Sequence, residues 1–130
     1  VPSLDSSADQ IIFAIDEFSG VSANPLDVNG GSSTGTSTTP SDSITTVATN
    51  DLVVGLVAFQ TSAAVTPGSG YTQIGEDQSA LDGFNFEFKL ATTPTSYTVD
   101  WTLGTSQAWS ACTAAFREPS GTLMMRRRAE

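Results

Sequence analysis

Apolar and polar residues alternate along much of the chain, and this period of two predicts strands rather than helices. The alternation is clearest in residues 84–90 (FNFEFKL), where the phenylalanines and the leucine fall on one face and Asn, Glu and Lys on the other. Residues 97–103 (YTVDWTL) repeat the pattern, with their aromatic and aliphatic side chains on one face. Because a Thr-Pro turn separates the two segments, we expect an antiparallel pair with both apolar faces toward the core.

Several further segments have the composition of strands. They are 10–18 (QIIFAIDEF), 44–48 (ITTVA), 52–59 (LVVGLVAF), 107–117 (QAWSACTAAFR) and a segment that opens at Tyr71. We expect the first to be buried on at least one face. The segment 52–59 is apolar at both parities, which is typical of a central strand covered on both faces. The sequence therefore predicts an all-β fold, an antiparallel β-sandwich of the jelly-roll or immunoglobulin-like type with about seven strands.

Two polar stretches interrupt these strands. Residues 29–43 (NGGSSTGTSTTPSDS) are rich in Gly, Ser and Thr and favour an exposed loop. An extended edge segment held by backbone pairing, or a stretch covered by glycans or a partner, remain alternatives. Residues 75–83 (GEDQSALDG) predict an acidic loop. We expect one domain over 1–117 and a basic tail over 118–130.

Composition narrows the possible chemistry. The 130 residues contain no His and one Cys, which excludes His-based triads, His-ligated zinc and an intrachain disulfide. The net charge of −9 disfavours nucleic acid as a partner, and no apolar run is long enough for a membrane-spanning helix. The charge is uneven: residues 1–116 hold 12 carboxylates against one lysine (−11), and residues 117–130 hold four arginines against two glutamates (+2).

Candidate catalytic and metal-binding residues are few. Adjacent carboxylates in a strand point to opposite faces, so Asp16-Glu17 does not form a glycosidase pair, and Glu76-Asp77 is expected in a loop. Asp27 begins a sequence that resembles the start of a calcium loop but lacks its later ligands, which leaves an irregular site with Asp77 and Asp82 as an alternative. We expect Cys112 to be a buried small side chain, and we expect no cofactor.

Binding surfaces are better candidates than catalytic sites. Tyr71 and Trp109 are the aromatic side chains whose burial is least determined, so they are the candidates for stacking on a glycan. In the tail, an apolar and a cationic cluster are expected to contact other protein subunits, including copies of this chain. These candidate contact residues are Leu123, Met124, Met125, Arg126, Arg127 and Arg128.

Short segments in a fixed order carry a family resemblance. They are EFSGV (17–21), NPLD (24–27), NDLVVG (50–55), PGSGYTQ (67–73), FEFKL (86–90), YTVDWTL (97–103) and AWSACTAAFR (108–117). Together they resemble a Ser/Thr/Gly-rich β-sandwich module of bacterial surface proteins and phage virion proteins. The resemblance implies a structural or adhesive role without catalytic residues. Such modules have further strands before the first segment, which implies here a shortened sheet or one completed by a neighbouring chain.

These observations predict a non-enzymatic structural protein of a multi-subunit assembly, located on a virion (capsid decoration or tail) or on an extracellular surface. A carbohydrate-binding or adhesion module is the alternative. A small glycosidase is a third possibility, which requires two carboxylates that converge on a cleft.

Overall fold

The computed structural model describes residues 15–60, 62–78 and 82–119, together with the backbone of 126–127. Every regular element among these residues is a strand. The ten strands are β1 (Phe18–Ser19), β2 (Leu26–Ser37), β3 (Ser41–Thr45), β4 (Asp51–Phe59), β5 (Val65–Pro67), β6 (Thr72–Gln78), β7 (Gly83–Ala91), β8 (Ser96–Leu103), β9 (Gln107–Phe116) and β10 (Arg126–Arg127).

The strands form two main antiparallel sheets. The larger has five strands in the order β2-β9-β4-β7-β6, and the smaller has three in the order β3-β8-β5. A separate two-stranded pair joins β1 to β10. This architecture confirms the predicted all-β antiparallel sandwich, and β4 is a central strand as its apolar sequence indicates. Among the described residues, no helix has the length and apolar character needed to cross a membrane.

The chain passes between the sheets by a corner at residues 38–40. There, the Leu103 N–H donates to the Thr38 carbonyl (2.8 Å) and the Trp101 N–H donates to the Pro40 carbonyl (3.0 Å). Residues 38–40 follow β2 of the larger sheet. They therefore form backbone hydrogen bonds with β8 of the smaller sheet before β3 begins. This corner connects the two sheets along one side of the sandwich.

The core lies between β4 and β8. Val53 and Val57 of β4 are buried with Val99, Trp101 and Leu103 of β8. The predicted inward face of 97–103 is therefore confirmed for these three side chains, and Tyr97 is partly buried against the same cluster.

The predicted orientation of β7 is wrong. Asn85 and Glu87 are buried, whereas the phenylalanines of β7 are only partly buried on the opposite face and Leu90 is 44% exposed. Each polar side chain makes one hydrogen bond there: Trp101 Nε1–H donates to Asn85 Oδ1 and the Gly68 N–H donates to Glu87 Oε2, both at 3.0 Å. Hydrogen bonding thus compensates for only part of the burial, since Asn85 Nδ2 and Glu87 Oε1 have no hydrogen-bond partner among the described residues.

The predicted pairing of 84–90 with 97–103 is also wrong. Strand β7 pairs with β4 and β6, whereas β8 pairs with β3 and β5 in the other sheet. The turn between the two segments therefore crosses from one sheet to the other and does not close a hairpin.

The two predicted loops are largely strands. Residues 29–37 belong to β2, which pairs with β9 and is the edge segment weighed as the alternative. Residues 75–78 belong to β6, which pairs with β7. The strand predicted over 10–18 is only partly within the described residues, because residues 10–14 lie outside them. Residues 15–17 are not a strand, and Ile15 is 87% exposed, so burial of this residue is not confirmed.

Candidate assembly surfaces

Strand β2 is an edge of the larger sheet. Its register with β9 is irregular at the start and continuous from Ser32 to Ser37, where Ser32 is opposite Cys112 and Ser37 is opposite Gln107. Residues 28–37 (VNGGSSTGTS) contain neither a charged residue nor a proline. Natural edge strands are commonly protected by such residues or by bulges, because unpaired backbone N–H and C=O groups invite another strand. After the irregular start of β2, the edge from Ser32 to Ser37 has none of these.

A buried carboxylate fixes β2 to the rest of the sandwich. Asp42 of β3 is 8% exposed and accepts a hydrogen bond from the Ser33 hydroxyl (2.8 Å) and another from the Thr113 hydroxyl (2.9 Å). These three side chains come from β2, β3 and β9. The carboxylate therefore links the edge strand, its neighbour in the same sheet and the opposite sheet.

The outer face of the larger sheet is apolar across three strands. We call it the apolar face and define it by the outward apolar side chains of β4, β7 and β9, to which the outward Ser110 of β9 does not belong. They are Leu52, Val54, Leu56, Ala58, Phe84, Phe86, Phe88, Leu90, Cys112, Ala114 and Phe116. The register aligns them in rows, such as Phe86–Leu56–Cys112 and Phe88–Val54–Ala114. Sheet faces that meet water are usually polar, so this face has the character of a contact surface.

One end of the apolar face is contacted by the chain itself. The Phe18 ring packs edge-on against the Phe88 ring, with centroids 5.3 Å apart and planes at 69°. The Ser22 N–H donates to the Arg117 carbonyl at 3.0 Å, which brings the segment before β2 to the same end. Leu52, an outward residue at that end, is 2% exposed.

The backbone of the basic tail returns to this region. Arg127 is opposite Phe18 and Arg126 is opposite Ser19 in the short β1–β10 pair. The other candidate contact residues of the tail, Leu123, Met124, Met125 and Arg128, lie outside the described residues. The backbone of the tail thus pairs beside the apolar face within one chain, and its contact with other subunits stays a prediction.

A pair of aspartates lies where β2, β4 and β9 meet. Asp27 accepts hydrogen bonds from Arg117 Nε (2.7 Å), the Val47 N–H (2.7 Å) and the Ala48 N–H (3.3 Å). Burial raises the pKa of Asp27, but these hydrogen bonds outweigh it and lower the pKa to about 2. Asp51 is fully buried, and burial together with the neighbouring Asp27 carboxylate raises its pKa to about 7.

A second buried acid lies between the sheets. Burial is the main cause that raises the pKa of Glu87, and the negative charge of Asp100 raises it further. The hydrogen bond from the Gly68 N–H lowers it, and the resulting pKa is about 7. Burial also raises the pKa of Tyr71, and the charge of Glu87 contributes. Lys89 Nζ lies 5.2 Å from the centroid of the Tyr71 ring. Tyr71 therefore packs its ring against a lysine and the core.

The alternative calcium site is wrong. Both oxygens of Asp27 already accept hydrogen bonds, and Asp27 lies beside Asp51, which pairs with Ala91 of β7. Asp77 pairs with Phe84, seven residues away along the same strand, or roughly 23 Å. The two groups are thus at opposite ends of the sheet. Among the described residues, no cluster of three His, Cys, Asp or Glu is placed to hold a metal ion.

The two candidate glycan-stacking residues do not share a site. Trp109 lines a surface cavity of about 440 Å³, and its Nε1–H donates to the Ser37 hydroxyl at 3.0 Å. The cavity is also lined by Phe59, Gln60, Asp82 and Ser110. Tyr71 is near the other end of β7, since Thr72 pairs with Phe88 whereas the cavity borders Gly83. Of the two residues, Trp109 therefore borders this cavity.

Cys112 is exposed, contrary to the expectation of a buried side chain. It points outward from β9 in the row that contains Leu56 and Phe86. Desolvation and the negative charge of Asp42 both raise the pKa of its thiol. The thiol is therefore accessible, but its reactive thiolate is disfavoured.

The sequence did not reveal three of these features. The apolar face was assigned to the core, the Asp42 link joins residues far apart in the chain, and the Asp27–Asp51 pair has no local signature. The sequence did contain one signal for the apolar face. Residues 52–59 are apolar at both odd and even positions, which indicates that both faces of β4 are in contact with other groups.

Comparison with known proteins gives a structural match without a sequence match. No protein-family model matches the chain, and no curated protein matches it. Among solved structures, the chain is similar to the tripod (BppUct-A-L) from the baseplate of bacteriophage Tuc2009. The identity is 16%, the alignment covers 89% of this chain and 84% of that chain, and the TM-score is 0.40.

Proposed function

We propose that this protein is a non-enzymatic structural subunit of a multi-subunit assembly, displayed on a virion as a capsid decoration or tail component, or on a cell surface. The observation that carries the proposal is the regular, uncharged and proline-free edge of β2 from Ser32 to Ser37. An edge of this kind is suited to pairing with a strand of another subunit.

A second copy of this chain is the partner that the charges favour. The body of the protein is strongly acidic, so two copies repel each other over most of their surfaces. Residues 28–37 carry no charge, and two β2 strands can approach there without opposing carboxylates. Antiparallel pairing of two β2 strands about a two-fold axis joins both larger sheets into one continuous sheet.

The basic tail supplies a second contact. We propose that Leu123, Met124 and Met125 provide apolar contact and that the arginines 126–128 dock against the acidic body of a neighbour. A charge reversal at all three arginines is expected to weaken the assembly, and the effect of the tail is expected to fade at high salt. A reversal without effect on the mass of the assembly would remove the tail from the interface.

Lysines on the edge test the proposal. Thr34 and Thr36 are exposed on β2, and lysines there place like charges on both sides of a β2–β2 contact. Sedimentation equilibrium is expected to show self-association of the wild type, weakened by about tenfold or more in Thr34→Lys/Thr36→Lys. Thr102→Lys, at an exposed threonine in the middle of the smaller sheet, is the matched control. A wild type that remains monomeric at every concentration would refute the β2 contact.

Glycan binding is a second candidate, favoured by the cavity beside Trp109. A tryptophan ring bordered by Gln60, Asp82 and Ser110 combines a stacking surface with polar groups, as sugar sites do. A glycan array is expected to show at least one glycan that binds to the wild type and binds more weakly to Trp109→Phe. An array without any bound glycan would reject this function.

A further inference from the structure

The apolar face has a gradient of side-chain size across its three strands. In two adjacent rows, a phenylalanine on β7 is followed by leucine or valine on β4 and by a small side chain on β9. These rows are Phe86–Leu56–Cys112 and Phe88–Val54–Ala114. The phenylalanines of β7 therefore form a ridge, and the small side chains of β9 form a shallow trough about 10 Å away, because neighbouring strands are roughly 4.8 Å apart.

Solvent reaches the trough at one end of the face. Ala58 of β4 and Cys112 of β9 are exposed there. At the opposite end the Phe18 ring contacts the face, and Leu52, in the row that ends at Phe116 on β9, is 2% exposed. The exposed outward positions of β4 and β9 therefore lie in rows that have the bulky side chain on β7 and a small side chain on β9.

This size gradient makes the face complementary to itself. A two-fold axis parallel to the strands and centred on β4 places the ridge of one copy over the trough of a second copy, and the reverse contact follows from symmetry. The two larger sheets then pack face to face in the aligned arrangement, about 10 Å apart, with interdigitated side chains. Because ridge and trough lie at equal distances from β4, the shape of the face favours a second copy over an unrelated apolar partner.

The charge distribution also favours a second copy. With a net charge of −9, two copies can make close contact only where carboxylates do not oppose each other. The outward positions of β4, β7 and β9, and of β2 from Ser32 to Ser37, carry no charge. On β6, Asp77 lies in the row of Phe84, and the same row ends on β2 at Thr34. The two-fold axis therefore places Asp77 opposite an uncharged threonine of the second copy.

The size of the face predicts a weak contact between isolated copies. Three strands over the length from Leu52 to Ala58 cover about 14 Å by 23 Å, or roughly 300 Å² on each copy. Stable complexes bury roughly 800 Å² on each partner. The contact is therefore expected to be populated at high protein concentration, or in an assembly where other contacts already hold neighbouring subunits together.

We propose that the apolar face binds the apolar face of a second copy of this chain, about a two-fold axis that runs along β4. This inference rests on the proposed role as an assembly subunit and adds a second self-contact to it. It does not depend on the β2 edge, because β9 separates β2 from β4 in the sheet.

Nuclear magnetic resonance on the wild type tests the contact without any substitution. Chains with labelled phenylalanine rings are mixed at high concentration with chains that carry labelled alanine methyls, so that a ring-to-methyl contact reports only on two different copies. We expect nuclear Overhauser contacts between the ring of Phe86 or Phe88 and the Ala114 methyl. Absence of these contacts would overturn the proposal, and it is also the result expected if another part of the same chain covers the face.

A swap of side-chain sizes separates a shaped contact from indiscriminate apolar association. In a Thr34→Lys/Thr36→Lys background, which weakens the β2 contact, Cys112→Phe fills the trough and Phe86→Cys removes part of the ridge. Each is expected to weaken self-association about tenfold in sedimentation equilibrium under reducing conditions. The double variant Phe86→Cys/Cys112→Phe moves the ridge and the trough within one row and is expected to restore it. Fluorescence of the buried Trp101 checks that each variant is folded.

Stronger association of Cys112→Phe, which adds apolar surface, would overturn the shaped contact, and so would a double variant no better than the single ones. The two self-contacts can fail separately. A wild type that self-associates without the ring-to-methyl contacts refutes the face contact and leaves the β2 contact standing, whereas a wild type that remains monomeric at every concentration refutes both.

Discussion

The indole N–H of Trp101 donates a 3.0 Å hydrogen bond to Oδ1 of Asn85, and both side chains are buried between the two sheets. The bond connects β8 of the smaller sheet with β7 of the larger one. Together with the Gly68–Glu87 bond, it gives the polar residues of β7 hydrogen-bond partners on the inner face, while the phenylalanines of β7 lie on the outer face.

Loss of the Asn85 acceptor is expected to destabilise the protein. Asn85→Leu leaves the buried Trp101 N–H without a partner, which costs about 1–3 kcal/mol of the free energy of unfolding. Urea unfolding measures this cost, and the exposed Asn29→Leu is the control, expected to stay within about 0.5 kcal/mol of the wild type. Equal stability of Asn85→Leu and the wild type would contradict the assigned role of the bond.

Gly55 is expected to tolerate no side chain. It lies on the inner face of β4, where a Cβ would collide with Val99 Cγ1 and lie 3.2 Å from the Trp101 ring. Gly55→Ala should therefore lower the free energy of unfolding by about 1–3 kcal/mol, as overpacked cores do. At Gly75 of β6 the nearest atom would be 4.0 Å away, so Gly75→Ala is the matched control and should leave stability unchanged or slightly raised. Similar unfolding midpoints for the two variants would be inconsistent with this packing.

The link through Asp42 is expected to fix the edge strand. Asp42→Ala removes the acceptor of both the Ser33 and Thr113 hydroxyls and should cost about 2–3 kcal/mol in urea unfolding. Asp42→Asn keeps one acceptor oxygen and should cost less. Ser43→Ala, at an exposed neighbour on β3, is the control. If Asp42→Ala unfolds at the same urea concentration as Ser43→Ala, the carboxylate does not hold β2 in place.

Stability is expected to decrease as the pH rises from about 4 to about 7. Folded Asp51 and Glu87 have pKa values of about 7, whereas unfolded carboxyls titrate near 4. Below pH 4 both states hold the proton, and between the two values only the folded state retains it. The free energy of unfolding therefore falls across this window, by a few kcal/mol in all, because one pKa unit corresponds to about 1.4 kcal/mol. Asp27 acts in the opposite sense, since its stabilisation is lost as the pH falls from about 4 toward 2.

Neutral substitutions isolate this pH effect. Asp51→Asn and Glu87→Gln should each flatten the profile between pH 4 and 7, measured by urea unfolding at a series of pH values. Gln78→Asn, an exposed position without an ionisable group, should keep the wild-type profile. A wild-type free energy of unfolding that is constant over the window would argue against protonated acids in the core.

The sequence predicted the fold class and the inward face of β8 but not the orientation of β7. The alternation in the sequence places Phe86 and Glu87 on opposite faces of β7, but it does not show which face is buried. The hydrogen bond that Glu87 accepts in the interior comes from the Gly68 N–H, which is distant in the sequence. For residues 29–37 the sequence favoured a loop and left the edge strand as the alternative, since the pairing of β2 with β9 and its link to Asp42 are tertiary contacts that local composition does not encode. Both errors arose where hydrogen bonding outweighs hydrophobicity.

Amide hydrogen exchange along β2 tests the central claim, that this strand pairs with a second copy, most directly. Exchange is measured for the wild type at concentrations above and below its self-association. We expect amides within Ser32–Ser37 to gain protection on association, while amides of the internal strand β8 are equally protected in both states. Unchanged exchange over Ser32–Ser37 in the associated protein would show that β2 does not pair with a second copy.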